Sequence, residues 1–223
     1  VSPGDVVERI AVSGIVPVLV LESADVAVPV CEALLAGGVS VAEVTFRTAD
    51  AAQAITRIRD ALPGMLLGAG TLLTDADVHR ALDAGAVFGV APGLRERVVE
   101  TAQGVGLPFF PGVCTPGDIE RGLALGLGVL KFFPAGSFGG PGTLSALLGA
   151  YRHTGVRFMP TGGVTLDNAP DYWAIPEVLA VGATALAPAD LQREGLWAEI
   201  TNRASAFREA FGTARPNIYR QVD

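Results

Sequence analysis

The chain has 223 residues, half of them hydrophobic and 17% charged, with a net charge of -7 and a pI near 4.8. This supplies a large buried core, and the lack of any basic run speaks against nucleic acid or an acidic membrane surface as partner. Twenty-eight glycines and fifteen prolines lie between apolar segments, which implies tight connections rather than disorder.

A short leading helix is predicted over 5–11, with Ser2 and Pro3 as start signals. The continuous apolar run GIVPVLVL at 14–21 has the pattern of a strand buried on both faces. Ser23 can cap the helix after it, which carries Val26, Val30 and Leu34 and stops at Gly37-Gly38. A second strand is predicted over 40–46 and a helix over 50–62, closed by Pro63-Gly64. A third strand follows over 66–71, and Thr74 caps a helix that ends at Gly85. Strand four is placed at 87–90 with a helix over 94–103, and strand five at 107–113 with a helix opened by Thr115-Pro116. Strand six spans 129–134 with a helix over 142–151, and strand seven 156–160 with a brief helix near 168–173. Strand eight spans 178–186, a last helix 196–211, and a polar tail begins at about 212.

Eight apolar strands alternating with helices, with no linker, imply a parallel sheet. The expected fold is α/β, a (β/α)8 TIM barrel with a short N-terminal helix, as one domain over residues 1–223. A doubly wound open sheet is the alternative. It would place a glycine-rich turn after its first strand, where Leu21-Glu22-Ser23 has none.

The chemistry centres on Lys131, the only lysine among sixteen basic residues, set in the apolar run Val129-Leu130-Lys131-Phe132-Phe133-Pro134-Ala135. Burial penalises an ammonium and lowers its pKa, and a neutral amine can attack a carbonyl to form a Schiff base. The other reading is a lysine at a strand end that snorkels to water. A barrel's active site lies where strands end. The polar residues there are Glu43, Thr45, Arg47, Thr71, Lys131, Thr161 and Thr184. Glu43 and Arg47 lie on one face of strand two, and a carboxylate between Ala42 and Val44 is costly unless paired or functional. A plain Glu43–Arg47 ion pair at the mouth is one outcome. The other comes from barrel symmetry. Strands two and six face each other and share a layer, so Glu43 and Lys131 can meet across the lumen. An amine and a carboxylate in one dry pocket are the minimum set for Schiff-base chemistry. Arg47 can hold a substrate carboxylate bidentately, and Thr71 offers a hydroxyl at a glycine turn.

A second group, Thr161-Gly162-Gly163-Val164 with Gly182-Ala183-Thr184, ends strands seven and eight. Barrels often build phosphate sites there from loop amides, although a plain glycine turn has the same sequence. The two isolated cysteines and two isolated histidines offer no metal-ligand spacing, so no metal and no cofactor is expected. Cys31 and Cys114 are read as small buried residues, with a disulfide as the alternative. No signal-peptide pattern and no run of about twenty apolar residues occurs, so a cytoplasmic location is expected.

These motifs resemble the KDPG/KHG aldolase family over residues 7–211. The resemblance rests on Glu43-Val44-Thr45-Phe46-Arg47-Thr48, Gly68-Ala69-Gly70-Thr71, Ala91-Pro92-Gly93, Pro111-Gly112-Val113, Lys131-Phe132-Phe133-Pro134-Ala135 and Thr161-Gly162-Gly163. It implies a class I aldolase on a (β/α)8 barrel that reversibly cleaves 2-keto-3-deoxy-6-phosphogluconate (KDPG) to pyruvate and D-glyceraldehyde 3-phosphate, as in the Entner–Doudoroff pathway. It implies Lys131 as the Schiff-base lysine and Glu43 as general acid and base. Arg47 and Thr71 would hold the pyruvate carboxylate, with Pro92, Phe133 and Thr161 shaping the pocket. Gly162, Gly163 and the Thr184 turn would hold phosphate. A homotrimer without metal, acting on a small-molecule substrate, is implied as well. The family often has serine where this chain has Thr184, so the hydroxyl is kept. Phe138 stands where many members have a small or polar residue, a place that could change which aldehyde fits. Related substrates, 4-hydroxy-2-oxoglutarate and 2-dehydro-3-deoxy-6-phosphogalactonate, share the pyruvate half. A phosphosugar isomerase or epimerase, or a non-catalytic phosphosugar-binding barrel, are the readings from other classes.

Overall fold

The computed structural model describes residues 2–219. It begins with α1 (Pro3–Ser13), capped by Ser2, whose hydroxyl accepts from the Asp5 amide while Asp5 answers the Ser2 amide. Then come β1 (Ile15–Leu19), α2 (Ala27–Ala36), β2 (Val41–Thr45), α3 (Ala51–Ala61), β3 (Leu66–Gly70), α4 (Asp75–Ala84), β4 (Phe88–Val90) and α5 (Glu96–Gly104). The chain continues with β5 (Phe109–Phe110), β6 (Gly112–Val113), α6 (Pro116–Ala124), β7 (Val129–Phe132), α7 (Gly140–Tyr151), β8 (Arg157–Pro160), α8 (Ala169–Trp173) and β9 (Val181–Ala183). It closes with α9 (Ala189–Arg193), α10 (Trp197–Ala214) and α11 (Pro216–Tyr219). Thr74 and Thr115 both cap their helices through reciprocal bonds with Asp77 and Asp118, as their sequence positions imply.

All ladders are parallel. One runs β5-β4-β3-β2-β1-β9 and the other β6-β7-β8. The two are joined at both seams. β5 and β6 are halves of the fifth barrel strand, and parallel bridges Phe158–Val178 and Thr161–Gly182 connect the β8 and β9 sides. The result is the expected barrel, with four departures from the expected elements.

The fifth strand is broken at Pro111, which has no N–H to give a ladder. Its carbonyl still accepts from the Lys131 amide at 2.9 Å, so the strand below the lysine stays in place. The eighth strand is only three residues long, although its apolar run spans 178–186. Leu179 and Ala180 fill the barrel floor, and Leu186 and Ala187 are buried after the strand has ended, so that run records burial rather than pairing. The short α9 falls in a segment predicted as a connection. Helix α10 continues through Gly212 to Ala214, so the segment expected as a polar tail starts inside a helix; residues 220–223 of that tail lie outside the described residues.

Side chains two apart on a strand share a face. Val16, Val41, Val129 and Met159 point into the lumen and meet Val6 and Ile10 of α1, which covers the N-terminal end. One step further up the same faces stand Val18, Glu43 and Lys131. The other faces, among them Leu19, Ala42, Val44 and Leu130, belong to the larger core packed under the helices. The barrel floor is thus apolar, and the buried polar side chains Glu43, Lys131 and Thr161 stand near the C-terminal mouth.

Candidate active site

A cavity of about 110 Å³ opens at the C-terminal end of the strands, and all ten site residues expected from the sequence line it. A larger open groove, about 830 Å³, lies at the opposite end beside α1. Its floor is mainly apolar and glycine backbone, with no converging polar set, so the smaller cavity is the candidate site.

Lys131 sits on β7 between Gly112 and Met159, and Glu43 on β2 between Val18 and Gly68. The residues are 5% and 3% exposed, and Lys131 Nζ donates to Glu43 Oε1 at 3.5 Å across the lumen. The snorkelling reading is excluded by this burial. So is the plain Glu43–Arg47 ion pair, because Glu43 is paired with Lys131 instead. Among the described residues Arg47 makes no hydrogen bond or ion pair, and it is exposed at the rim. Its guanidinium is available to an anionic ligand. The Phe133 ring lies 5.2 Å from Lys131 Nζ, giving a positively charged nitrogen a π face.

Two glycines make this arrangement sterically possible. A Cβ on Gly70 would overlap the Glu43 carboxyl, and one on Gly182 would overlap the Thr161 hydroxyl. Thr71, next after Gly70, has φ 59°, the one positive value at a non-glycine residue among the described residues. A β-branched residue rarely adopts that conformation, which costs about 1–3 kcal/mol and tends to be kept at functional sites. Thr45 also lines the cavity. Its hydroxyl donates to the Leu19 carbonyl at 3.1 Å and ties β2 to β1 beside Glu43.

The other wall is built from backbone. Thr161 is buried and its hydroxyl donates to the Met159 carbonyl at 3.3 Å. Gly162 and Gly163 have φ 93° and 77°; the Gly162 N–H faces the Gly182 carbonyl through the Thr161–Gly182 bridge, and the Gly163 N–H has no partner among the described residues. Thr184 stands exposed at the rim of the same wall, brought there by the Thr161–Gly182 bridge. Pro92 and Phe133 are half-buried and close the sides. Phe138, singled out as a possible selector of the aldehyde, is 45% exposed and does not line the cavity.

Two participants were not expected. Val18 adds apolar lining, and Asn168 binds the glycine turn from behind, its Nδ2 donating to the Gly163 carbonyl at 2.9 Å. A signal for Asn168 existed. Thr165 and Asn168 are three apart and exchange bonds between side chain and backbone, as a capping box does. The cysteines are both free. Cys31 is fully buried and burial pushes its thiol up to about 12, while Cys114 is half-buried with its thiol raised by burial first and then by Asp118. Among the described residues no group of three or more His, Cys, Asp or Glu could hold a metal ion, and no helix is long and apolar enough to cross a membrane.

The family described as KDPG and KHG aldolase matches residues 6–203. A 2-dehydro-3-deoxy-phosphogluconate aldolase of Treponema pallidum (strain Nichols) is 45% identical over 197 residues, covering 88% of this chain and 91% of the relative. The KHG/KDPG aldolase of Escherichia coli (strain K12) is 40% identical over 209 residues, covering 93% and 96%. Among solved structures, KDPG aldolase from Legionella pneumophila, with pyruvate captured at low pH as a covalent carbinolamine intermediate, superposes with a TM-score of 0.87. It is 35% identical and the alignment covers 93% of this chain and 98% of that one.

Proposed function

Since this chain belongs to the KDPG and KHG aldolase family, we propose that it is a class I aldolase that reversibly cleaves KDPG to pyruvate and D-glyceraldehyde 3-phosphate through a Schiff base on Lys131. The observation that carries the reading is the buried Lys131–Glu43 pair, 3.5 Å apart at the closed end of a cavity whose rim offers an unpaired Arg47.

The chemistry follows from that placement. The uncharged Lys131 amine attacks C2 of the substrate, and the carbinolamine loses water to give an iminium. Glu43, within hydrogen-bond reach of the same nitrogen, supplies and removes the protons of that dehydration. The carboxylate then takes the C4 hydroxyl proton as the C3–C4 bond breaks. The bonding electrons move to C3 and into the iminium, leaving an enamine and freeing the aldehyde. Glu43 returns its proton to C3, and water hydrolyses the pyruvate iminium to regenerate the amine. Each step conserves atoms and charge, and one carboxylate alternates as base and acid. Arg47 and Thr71 are assigned to the C1 carboxylate at the pyruvate end, where a guanidinium can make two parallel bonds. Gly162, Gly163 and Thr184 are assigned to the phosphate end, with Pro92, Phe133 and Thr161 shaping the space between.

The reading takes the chain as a single barrel domain acting as a cytoplasmic homotrimer, on the strength of the family resemblance; sedimentation of the purified protein reads the assembly. The test of the activity is stoichiometric. KDPG should yield one pyruvate and one D-glyceraldehyde 3-phosphate per molecule consumed, at a higher kcat/KM than 4-hydroxy-2-oxoglutarate or the phosphogalactonate epimer. Consumption of a phosphosugar with its carbon chain intact would move the protein to the isomerase class. Binding without turnover would make it a carrier.

A further inference from the structure

The glycine turn of the phosphate wall is held in one orientation by bonds on its outer side. The peptides joining Thr161, Gly162, Gly163 and Val164 are all trans, since the one cis bond among the described residues is Phe133-Pro134. In a planar trans peptide the carbonyl and the next N–H point in opposite directions. The Thr161 carbonyl accepts from the Ala135 amide at 2.8 Å, so the Gly162 N–H points the other way. The Gly162 carbonyl accepts from the Gly136 amide at 2.8 Å, which turns the Gly163 N–H away in the same manner. The third peptide has no backbone partner. Its carbonyl, Gly163 O, accepts from Asn168 Nδ2 at 2.9 Å, and the N–H opposed to it belongs to Val164.

The Gly162 N–H faces the Gly182 carbonyl through the parallel Thr161–Gly182 bridge, whereas the Gly163 and Val164 N–H groups lack an acceptor among the described residues, and both residues line the cavity. Val164 is 4% exposed, so an unpaired amide there is costly unless a ligand supplies the acceptor. Successive amides converging from one turn form an anion-binding nest. Asn168 is itself fixed, because its Oδ1 accepts from the Thr165 amide at 2.9 Å.

We propose that the phosphate end of the cavity is an amide nest in which the Val164 N–H joins that of Gly163 as a donor, and that Asn168 is the positioning residue that aims it. This rests on the reading of the cavity as a phosphosugar aldolase site and adds to it a side chain that never touches the substrate.

Replacing Asn168 with alanine frees the Gly163 carbonyl, and Asn168→Asp puts a carboxylate against it. Both variants should raise KM for KDPG about 10-fold or more, the scale of one hydrogen bond to a charged group. They should leave kcat for KDPG within about 2-fold, and should not change kcat/KM for 4-hydroxy-2-oxoglutarate, which has no phosphate. Thr165→Ala is the control for the turn: it removes the hydroxyl that accepts from the Asn168 amide at 3.4 Å but keeps the Thr165 N–H that holds Asn168 Oδ1, so KM for KDPG should stay within about 2-fold of the parent value. Borohydride trapping of pyruvate on Lys131 separates the two levels of the argument. Normal trapping with unchanged KM for KDPG in both Asn168 variants overturns the nest. An equal loss for phosphorylated and unphosphorylated substrates also overturns it, because the residue would then serve the fold of the cavity as a whole. Failure of trapping in the parent protein overturns the aldolase reading itself.

Discussion

The two walls of the cavity are made of different materials. The pyruvate wall is built from side chains that cross the lumen from separate strands, Lys131 from β7 and Glu43 from β2, with Arg47 just beyond the end of β2. The phosphate wall is built from peptide groups of one turn, aimed by bonds to Ala135, Gly136 and Asn168. Chemistry that makes and breaks bonds needs groups with tunable protons and lone pairs, which only side chains provide. A phosphate needs several donors at fixed spacing and no proton transfer, which the main chain supplies without side-chain entropy. Changes to the first wall should therefore appear in kcat, and changes to the second in KM and substrate choice.

The largest effect tests the first half of that statement. Lys131→Arg keeps the charge but cannot form the imine, and kcat for KDPG should fall by about 10⁵-fold or more, on the scale of other covalent nucleophiles. A residual rate near the parent value would mean that the amine is not a nucleophile. Glu43→Gln comes next. It keeps a neutral acceptor near Lys131 and removes the proton carrier, so kcat should fall about 10²–10⁴-fold with KM little changed. Gly70→Ala acts on the same wall without replacing a charged residue. The new Cβ forces the Glu43 carboxyl aside, and kcat should drop about 10²-fold with a stability loss of about 1–3 kcal/mol, read by urea unfolding. Arg47→Ala tests the boundary between the walls. It removes a charged hydrogen bond to the carboxylate shared by all the candidate substrates, so KM should rise about 10- to 100-fold for each of them alike.

The smallest effect comes from outside both walls. The Cys31 thiol is raised from 9.0 to about 12 in the fold because burial penalises the thiolate. Its contribution to stability is complete below pH 9 and is lost as the pH rises from 9 towards 12, by about 1.4 kcal/mol per unit. Urea unfolding at pH 9, 10 and 11 should show this slope, and Cys31→Ala should flatten it while leaving both KM and kcat unchanged at neutral pH.

The same contrast explains what the sequence could reveal. Side-chain chemistry is written in residue identity. A single lysine in an apolar run, and a glutamate between Ala42 and Val44, pointed to a pair across the lumen because strand alternation and barrel symmetry are strict. Helix starts were equally legible at Ser2, Thr74 and Thr115, where the capping residues are explicit. Backbone geometry is written less directly. Gly162 and Gly163 announced a turn, but the direction of its amides depends on partners at 135, 136 and 168, two of which act through main-chain groups that any residue carries. The left-handed Thr71 was invisible for the same reason, since a threonine ordinarily avoids that conformation. At the eighth strand, hydrophobicity reported burial and hid a strand of three residues within an apolar run of nine.

The measurement that bears most directly on the account is covalent trapping. The protein is incubated with pyruvate and sodium borohydride, its intact mass is taken, and the adduct is mapped by peptide sequencing. The account predicts one reduced pyruvate imine per chain, located on Lys131, and none in Lys131→Arg. A folded protein that gains no adduct, or that gains it at the chain terminus alone, would contradict the Schiff-base mechanism and with it the role assigned to the Lys131–Glu43 pair.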